Sequence, residues 1–373
     1  MDEIKKLDRV KAALEFSKYG EGFLDFGACG DDIFYRLADI GETLCAEMIP
    51  GDSSFYLVDS LRKTGGTIHE LSTVVIYKGM LNFIFRTASL AAAVTPCPTQ
   101  APAQAARPWA KNVAWWLEEG EFYFDDERYW WLQSPDRRSV FDFYVENIFR
   151  FVVLHEIGHL HNMHGARRGK PPGSQFPVSA PELSDGDKND STGPIIVDNC
   201  NISEDGENFS RHIREVVADT YAFQFFLHGL IEGLTEPDSQ IDNSDDAANA
   251  IKTASVIVAL NFVQLYFWLS DAMPSTRTDF VLNREKYPPH AFRMQVIEAA
   301  FLEHGYRILP VARIQGSLDQ AMKQTLTIAT NVAGTEDFLT WRISLRDPVF
   351  FEHYAKICQG VPSWANGVFG VYD

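Results

Sequence analysis

The sequence predicts an α+β protein that is mostly helical. Two observations favour this fold class: β-rich runs are confined to the N-terminal third, and the rest of the chain is dominated by long segments with helical apolar periodicity. With 373 residues, the chain is long enough for more than one domain. We predict an N-terminal α+β region at 1–135, a central core at 136–235 and a helical C-terminal region at 236–373.

The N-terminal region combines helical and β-rich segments. Residues 4–18 and 31–48 show helical periodicity, and SSFYLV at 53–58 is typical of a strand. Two further segments, 72–86 and 121–133, each contain two β-rich runs around a turn-forming pair, so we predict that each forms a hairpin. The first hairpin could also offer a sheet edge to which an extended peptide adds as another strand.

Two long helices are the firmest predictions for the central region. The first spans 139–164, with Ser139 as its N-cap and Gly165 as the left-handed residue that ends it. Because it is apolar around much of its circumference, we expect it to be buried. The second helix is predicted at 210–232, after a loop insertion at 165–208 that is dense in Gly, Pro, Ser, Asp and Asn.

The net charge and the cysteine content of the chain indicate which partners and which cellular compartment to expect. The net charge of −18 would repel phosphate backbones and anionic lipids, so we expect neither nucleic acid nor a membrane as a partner. The five cysteines are scattered without a C-x-x-C pair, and the first residues lack the apolar core of a signal peptide, which predicts a cytoplasmic location. The most apolar run, 254–269, is shorter than the roughly 20 residues of a membrane span and is interpreted as a buried helix.

The segment HEIGHLHNMHG at 155–165 carries the strongest chemical signal. His155 and His159 lie one helical turn apart, about 6 Å along the axis, so both imidazoles can bind one Zn²⁺ ion. Glu156 is rotated by about 100° from His155 and can take a proton from a water on the metal without being a ligand. The alternative is two ordinary histidines at a helix end, but the uncharged interior and the apolar run before the motif favour a metal site.

The other two histidines of this segment do not share the ligand face. In a continuous helix, His161 lies about 160° and His164 about 140° around the axis from His159. We therefore interpret both as surface residues or as residues that support a ligand. The metzincin pattern H-E-x-x-H-x-x-G-x-x-H is excluded, because Asn162 and Gly165 stand where it needs Gly and His.

A third ligand must come from elsewhere, and Glu215 in REVVADTYAF is the best candidate. If its helix packs against the first, Glu215 can reach the metal. Asp219, one turn later on the same face, can then bind the far nitrogen of a ligating histidine and orient its ring. The alternatives are a solvated acidic face for this pair, or a different third ligand. The rival ligands are Asp198, Glu204, Glu207 and His212.

HEIGH at 155–159 followed by E-x-x-A-D at 215–219 resembles the gluzincin group of zinc metallopeptidases. Within that group, the first helix is similar to the active helix of bacterial cytosolic peptidases of the phage-exclusion Lit type and of the ImmA/IrrE type. The resemblance covers roughly residues 140–232. It implies a zincin-like core, in which the active-site helix and the Glu-bearing helix pack beside a small β-sheet. It also implies Zn²⁺ as cofactor and hydrolysis of peptide bonds in a protein or peptide substrate.

A later segment, KYPPHAFRMQ, places His290 and Arg293 on the first turn of a predicted helix. Similar segments with prolines, a histidine and an arginine follow the metal helices of related cytosolic peptidases. Either side chain could stabilise the oxyanion that forms when a peptide carbonyl is attacked, so both are candidate catalytic residues. The alternative is a helix start with a surface salt bridge.

Two other functions are compatible with the metal motif. One is an interaction or immunity protein that zinc stabilises and that performs no chemistry; a fourth protein ligand would favour it, because structural zinc sites are closed. The other is zinc-dependent hydrolysis of an amide that is not a peptide bond.

Overall fold

The fold is known from a computed structural model that describes residues 3–15, 21–95, 120–167, 204–234, 245–271, 287–332 and 335–366. Its α-helices, in chain order, are α1 (Glu3–Ala13), α2 (Phe26–Cys29), α3 (Ile33–Met48), α4 (Lys78–Val94), α5 (Pro135–His161), α6 (His164–Arg167), α7 (Glu204–Leu234), α8 (Asp245–Asp271), α9 (His290–His304), α10 (Val311–Val332), α11 (Thr335–Ser344) and α12 (Pro348–Gly360). The strands are β1 (Gly22–Phe23), β2 (Ser54–Asp59), β3 (Gly65–Ile68) and β4 (Thr73–Tyr77). Short 3₁₀ helices lie at His69–Leu71, Glu127–Gln133, Gly305–Arg307 and Val361–Ser363.

This architecture confirms the α+β class with mostly helical content. The strands form one small mixed sheet in the order β1-β2-β4-β3, with β2 and β4 parallel and β3 antiparallel to β4. The strand predicted at 53–58 is β2, shifted by one residue. Because β4 lies between β2 and β3, the sheet edge expected at 72–86 does not exist there; β3 is the terminal strand on that side.

Both predicted hairpins are wrong, for different reasons. In the first, β4 ends at Tyr77 and the chain continues as α4, whose residues from 81 to 94 are all buried. A short apolar run fits a strand or a buried helix equally well, and here the length of the apolar stretch decides for a helix. In the second, Asp126 accepts the Arg128 N–H at 2.9 Å and caps the 3₁₀ helix at Glu127–Gln133.

The central helix α5 corresponds to the predicted helix at 139–164, but both of its ends differ. It begins after Ser134 with Pro135 in the first helical position, where a missing N–H costs nothing. Ser139 is therefore inside the helix, and its hydroxyl donates to the Pro135 carbonyl at 3.0 Å instead of capping. The helix ends at His161, and the left-handed residue beyond it is Met163 (φ 52°) instead of Gly165.

Helix α7 contains the predicted helix at 210–232 and extends it at both ends. Its first turns occupy the end of the predicted loop insertion at 165–208, most of which lies outside the described residues. α7 packs along α5, and the two backbones meet closely at Gly158. A Cβ atom there would lie 3.1 Å from both Cα and O of Ala218. The missing side chain thus allows the approach that the sequence suggested.

The apolar run at 254–269 lies within α8, which packs against α7, α9 and α10. By length and composition, Asp246–Asp271 would be able to cross a bilayer, but 61% of its most apolar stretch is buried inside the fold. Burial against other helices agrees with the interpretation of this run as a core helix.

Candidate metal centre

Three buried side chains from α5 and α7 converge as the sequence predicted. The Nε2 atoms of His155 and His159 lie 3.2 Å apart. Glu215 Oε2 lies 3.4 Å from His155 Nε2, and Glu215 Oε1 lies 3.6 Å from His159 Nε2. The ligand atoms of the group all lie within 4.8 Å of one another, and each residue is at most 7% exposed. This group could hold a metal ion.

The second nitrogen of His155 faces Asp219, as expected from its position one turn after Glu215. The Nδ1–H donates to Asp219 Oδ1 at 2.9 Å, and Asp219 is fully buried. Its two oxygens also accept from Nε and Nη2 of Arg293 in α9, each at 2.6 Å. This bidentate pair holds the carboxylate in place, and the hydrogen bond in turn leaves the Nε2 lone pair of His155 directed into the group.

The chemistry of these donors fits a cation at their centre. Two imidazole nitrogens and a carboxylate with little access to water would repel one another without a positive charge between them. Burial by itself lowers the pKa of His155, but Asp219 and Glu215 together raise it to about 10. In the absence of a metal, this places a proton on His155. A metal ion would supply the same positive charge in place of the proton.

The carboxylates of the group remain ionised despite their burial. Burial raises the pKa of Glu215, but His155, His159 and Arg293 outweigh it and hold that pKa well below its usual range. For Asp219, the opposing effect comes mainly from Arg293, which lowers its pKa below the usual value. Both residues therefore present negative charge at neutral pH, as a metal ligand and its supporting group require.

Glu156, the predicted general base, is 3% exposed and lies against strand β3. A Cβ atom on Gly65 would be 2.6 Å from Glu156 Oε1, so only glycine leaves room for this carboxylate. The sequence contains no local signal for this contact, because Gly65 precedes Glu156 by 91 residues. The small sheet thus meets α5 at the residue that is predicted to move protons.

Tyr266 in α8 is a second residue that the sequence did not single out. Burial raises its pKa to about 12, with Asp219, Glu156 and Glu215 acting in the same direction and Arg293 opposing them. The hydroxyl is therefore in the electrostatic field of the site. In the sequence it lay inside an apolar run, where a tyrosine usually signifies core packing.

The remaining predicted residues separate into two groups. Arg293 reaches the site through Asp219, whereas the His290 Nδ1–H donates to Asp271 Oδ1 at 2.9 Å. The oxyanion role of both stays a prediction. Among the rival ligands, Glu207 pairs with Arg214 at 3.0 Å and His212 Nδ1 lies 3.0 Å from His353 Nε2, so neither joins the group. Of the other two rival ligands, Asp198 lies outside the described residues, and the side chain of Glu204 is not described.

The two histidines that do not share the ligand face occupy different environments. The His161 ring is partly buried and packs on Tyr221 at 4.8 Å between centroids. His164 is fully buried, with its Nδ1 at 2.7 Å from Nδ1 of His159. The prediction placed it about 140° away on a continuous helix. That geometry is wrong because the helix ends before it and Met163 redirects the chain.

Comparisons with known proteins give this site no relative. No protein-family model, curated protein sequence or solved structure matches the chain. The interpretation of the site therefore depends on its own geometry and chemistry.

Proposed function

We propose that the chain is a zinc-dependent metallopeptidase. The observation that carries the proposal is the buried His155, His159 and Glu215 group with Glu156 beside it. Two imidazoles and one carboxylate are a ligand set that zinc hydrolases use, with the fourth tetrahedral position left for water or substrate. The resemblance of H-E-x-x-H and E-x-x-A-D to gluzincins, and the zincin-like core it implies, supports the same proposal.

Each residue of the group has a distinct part in the proposed hydrolysis. Zinc, when bound, would supply Lewis acidity that polarises the substrate carbonyl and acidifies water. Glu156 accepts a proton from the attacking water, whose oxygen bonds to the carbonyl carbon. It then passes the proton to the nitrogen of the leaving amine as the C–N bond breaks. Asp219 keeps the His155 ring oriented, and Arg293 keeps Asp219 in place.

The proposal of a catalytic site over a structural one is supported by the number of ligands. Within the part of the chain that the structure describes, the candidate group contains three residues. The two nearest further candidates on α7 have other partners: His212 Nδ1 lies 3.0 Å from His353 Nε2, and the Asp219 carboxylate accepts from His155 and Arg293. A structural site would be expected to close its shell with a fourth protein ligand.

The experiment that tests the function replaces Glu156 with Gln. The expected result is stoichiometric zinc, measured by elemental analysis, with hydrolysis of an unstructured protein substrate and of a peptide library reduced by at least about 100-fold. Glu146→Gln is the control, because this glutamate lies on the same helix but outside the site. Its Oε1 pairs with Arg36 Nε at 3.0 Å. Full activity in Glu156→Gln would overturn the mechanism.

The same assay distinguishes peptide-bond hydrolysis from hydrolysis of other amides. Small amides are tested beside the peptides, each with and without a chelator. Chelator-sensitive cleavage confined to small amides would replace the peptidase proposal with the alternative zinc hydrolase. The cytoplasmic location, and a protein or peptide as the only macromolecular partner, stay predictions.

A further inference from the structure

His164 occupies a position that only a break in the active-site helix allows. α5 ends at His161, and Met163 takes a left-handed conformation before α6 begins at His164. This turn directs the imidazole back towards the candidate metal centre, where its Nδ1 lies 2.7 Å from Nδ1 of His159. Two ring nitrogens at this distance share one hydrogen, so one of them donates and the other accepts.

The far side of His164 decides which nitrogen donates. Its Nε2 lies 3.0 Å from the main-chain carbonyl oxygen of Trp364. A carbonyl oxygen can only accept, so this Nε2 carries a hydrogen. Neutral His164 then has a lone pair on Nδ1, which accepts the Nδ1–H of His159. As a result, the Nε2 of His159 keeps its lone pair and faces Glu215 Oε1 at 3.6 Å.

The carbonyl that orients His164 belongs to a C-terminal segment, residues 361–366, that is attached around the end of α5. The Asn366 N–H donates to Asn162 Oδ1 at 2.8 Å, and Arg167 donates to the Ser363 carbonyl at 2.9 Å. The Arg214 guanidinium lies over the Trp364 ring at 4.9 Å from its centroid. The segment therefore contacts residues next to both ligand-bearing helices: Asn162 and Arg167 follow α5, and Arg214 precedes Glu215 in α7.

We propose that His164 is a positioning residue for the metal ligand His159, and that the C-terminal segment 361–366 fixes His164 through the Trp364 carbonyl. The two histidine ligands are then oriented by different groups: the Asp219 carboxylate for His155 and a neutral imidazole for His159. This inference rests on the proposed metal site. It adds that the last described part of the chain sets the tautomer of a ligand.

The first test measures zinc affinity in the full chain by competition with a chromophoric chelator. His164→Leu removes the acceptor but keeps an apolar side chain, and its affinity is expected to fall by about 10–100-fold. His164→Gln carries both a carbonyl oxygen and an N–H, so it can replace both hydrogen bonds and should recover most of the affinity. His228→Leu is the control, because His228 is an exposed histidine of α7. Thermal melting in excess chelator verifies that each variant is folded.

The second test uses the wild-type protein, so it holds even if His164→Leu does not fold. With ¹⁵N-labelled histidine and bound zinc, long-range ¹H–¹⁵N spectra should show His159 protonated at Nδ1 and His164 protonated at Nε2. His159 protonated at Nε2, or an unchanged zinc affinity in folded His164→Leu, would overturn the inference. Zinc binding without hydrolysis in the wild type would reject only the proposed function, whereas a wild type that binds no zinc would reject both.

Discussion

At the residue scale, the candidate centre is a set of buried charges that satisfy one another. Glu215 and Asp219 are negative, Arg293 is positive, and the remaining charge is met by a proton on His155 or by a metal ion. Asp219 Oδ1 accepts hydrogen bonds from His155 and Arg293, and Oδ2 accepts one from Arg293. These short hydrogen bonds compensate for the free-energy cost of burying the carboxylate. Such a group tolerates little displacement, because each side chain orients the next.

Gly65→Ala tests the placement of Glu156 at this scale. The added methyl would lie 2.6 Å from Glu156 Oε1 and 2.8 Å from Ile76 Cδ1, so the carboxylate must move. Hydrolysis is expected to fall by about 10–100-fold, because a misplacement of about 1 Å has effects of this size. Zinc affinity should change by less than a few fold, since Glu156 is outside the candidate ligand group.

Gly22→Ala is the matched control for that variant. It adds the same methyl group to the same sheet, but nothing lies within 4 Å of the added atom. Steady-state hydrolysis and zinc competition are measured for both variants. Equal hydrolysis by Gly65→Ala and wild type would contradict the position assigned to the base.

At the element scale, α7 connects the candidate centre with the C-terminal helices. His212, Glu215 and Asp219 lie on one stripe of this helix, at relative positions i, i+3 and i+7. The later two face the centre, whereas His212 meets His353 of α12 at 3.0 Å. His353 is 4% exposed, and its ring is 5.0 Å from that of Phe292. The contact between α7 and α12 therefore contains a buried histidine pair.

Because this histidine pair is buried, we expect the folded protein to lose stability in mild acid. Burial, His212 and Lys356 lower the pKa of His353 from 6.5 to about 4. The unfolded chain then binds a proton on this residue between these pH values while the folded protein does not. The contribution of His353 to the free energy of unfolding should be fully present above pH 6.5. It should be lost as the pH drops towards 4, and the loss amounts to at most about 3 kcal/mol.

His353→Phe keeps a ring in the pocket and removes the titration. Urea unfolding at pH 5 and pH 7 is compared for the variant and the wild type. The difference in unfolding free energy between the two pH values should be smaller in the variant, whatever its absolute stability. The same pH dependence in both proteins would show that His353 does not have the lowered pKa.

At the scale of the whole molecule, the candidate centre depends on elements from distant parts of the chain. Glu215 follows His159 by 56 residues, Arg293 comes from α9, and the carbonyl that binds His164 belongs to Trp364. In the unfolded chain these groups are separated, so a metal ion would bind mainly to the folded protein. Metal binding and folding are therefore expected to be linked.

This linkage predicts a stability that depends on metal concentration. Free zinc at 100 times its dissociation constant should increase the free energy of unfolding by about 2.7 kcal/mol. Differential scanning calorimetry would be performed in chelator and at buffered zinc concentrations. Mg²⁺ is the control ion, since it prefers oxygen ligands and should give little shift at a site with two imidazoles. A melting temperature independent of zinc would contradict the site.

The sequence predicted the long helices and the strand β2, but it assigned two short β-rich segments to the wrong structure. α5 and α7 were predicted because each carries many turns of consistent helical pattern. The segments at 72–86 and 121–133 were mistaken for hairpins, because an apolar run of a few residues has no period that separates strand from helix. The long apolar stretch at 78–94 forms the helix α4, which is buried against α5, α8, α10 and the sheet.

The sequence by itself predicted the candidate metal group, whose three side chains the structure brings together. Helix geometry places His155 and His159 on one face, since spacing along a helix is a local property. The resemblance of E-x-x-A-D to the gluzincin pattern favoured Glu215 and Asp219, but the sequence left rival ligands open. The contacts of Gly65 with Glu156, of Arg293 with Asp219 and of His164 with His159 were decided only by the tertiary structure. They join residues from different elements, or across a helix break, and their distances depend on how the chain packs.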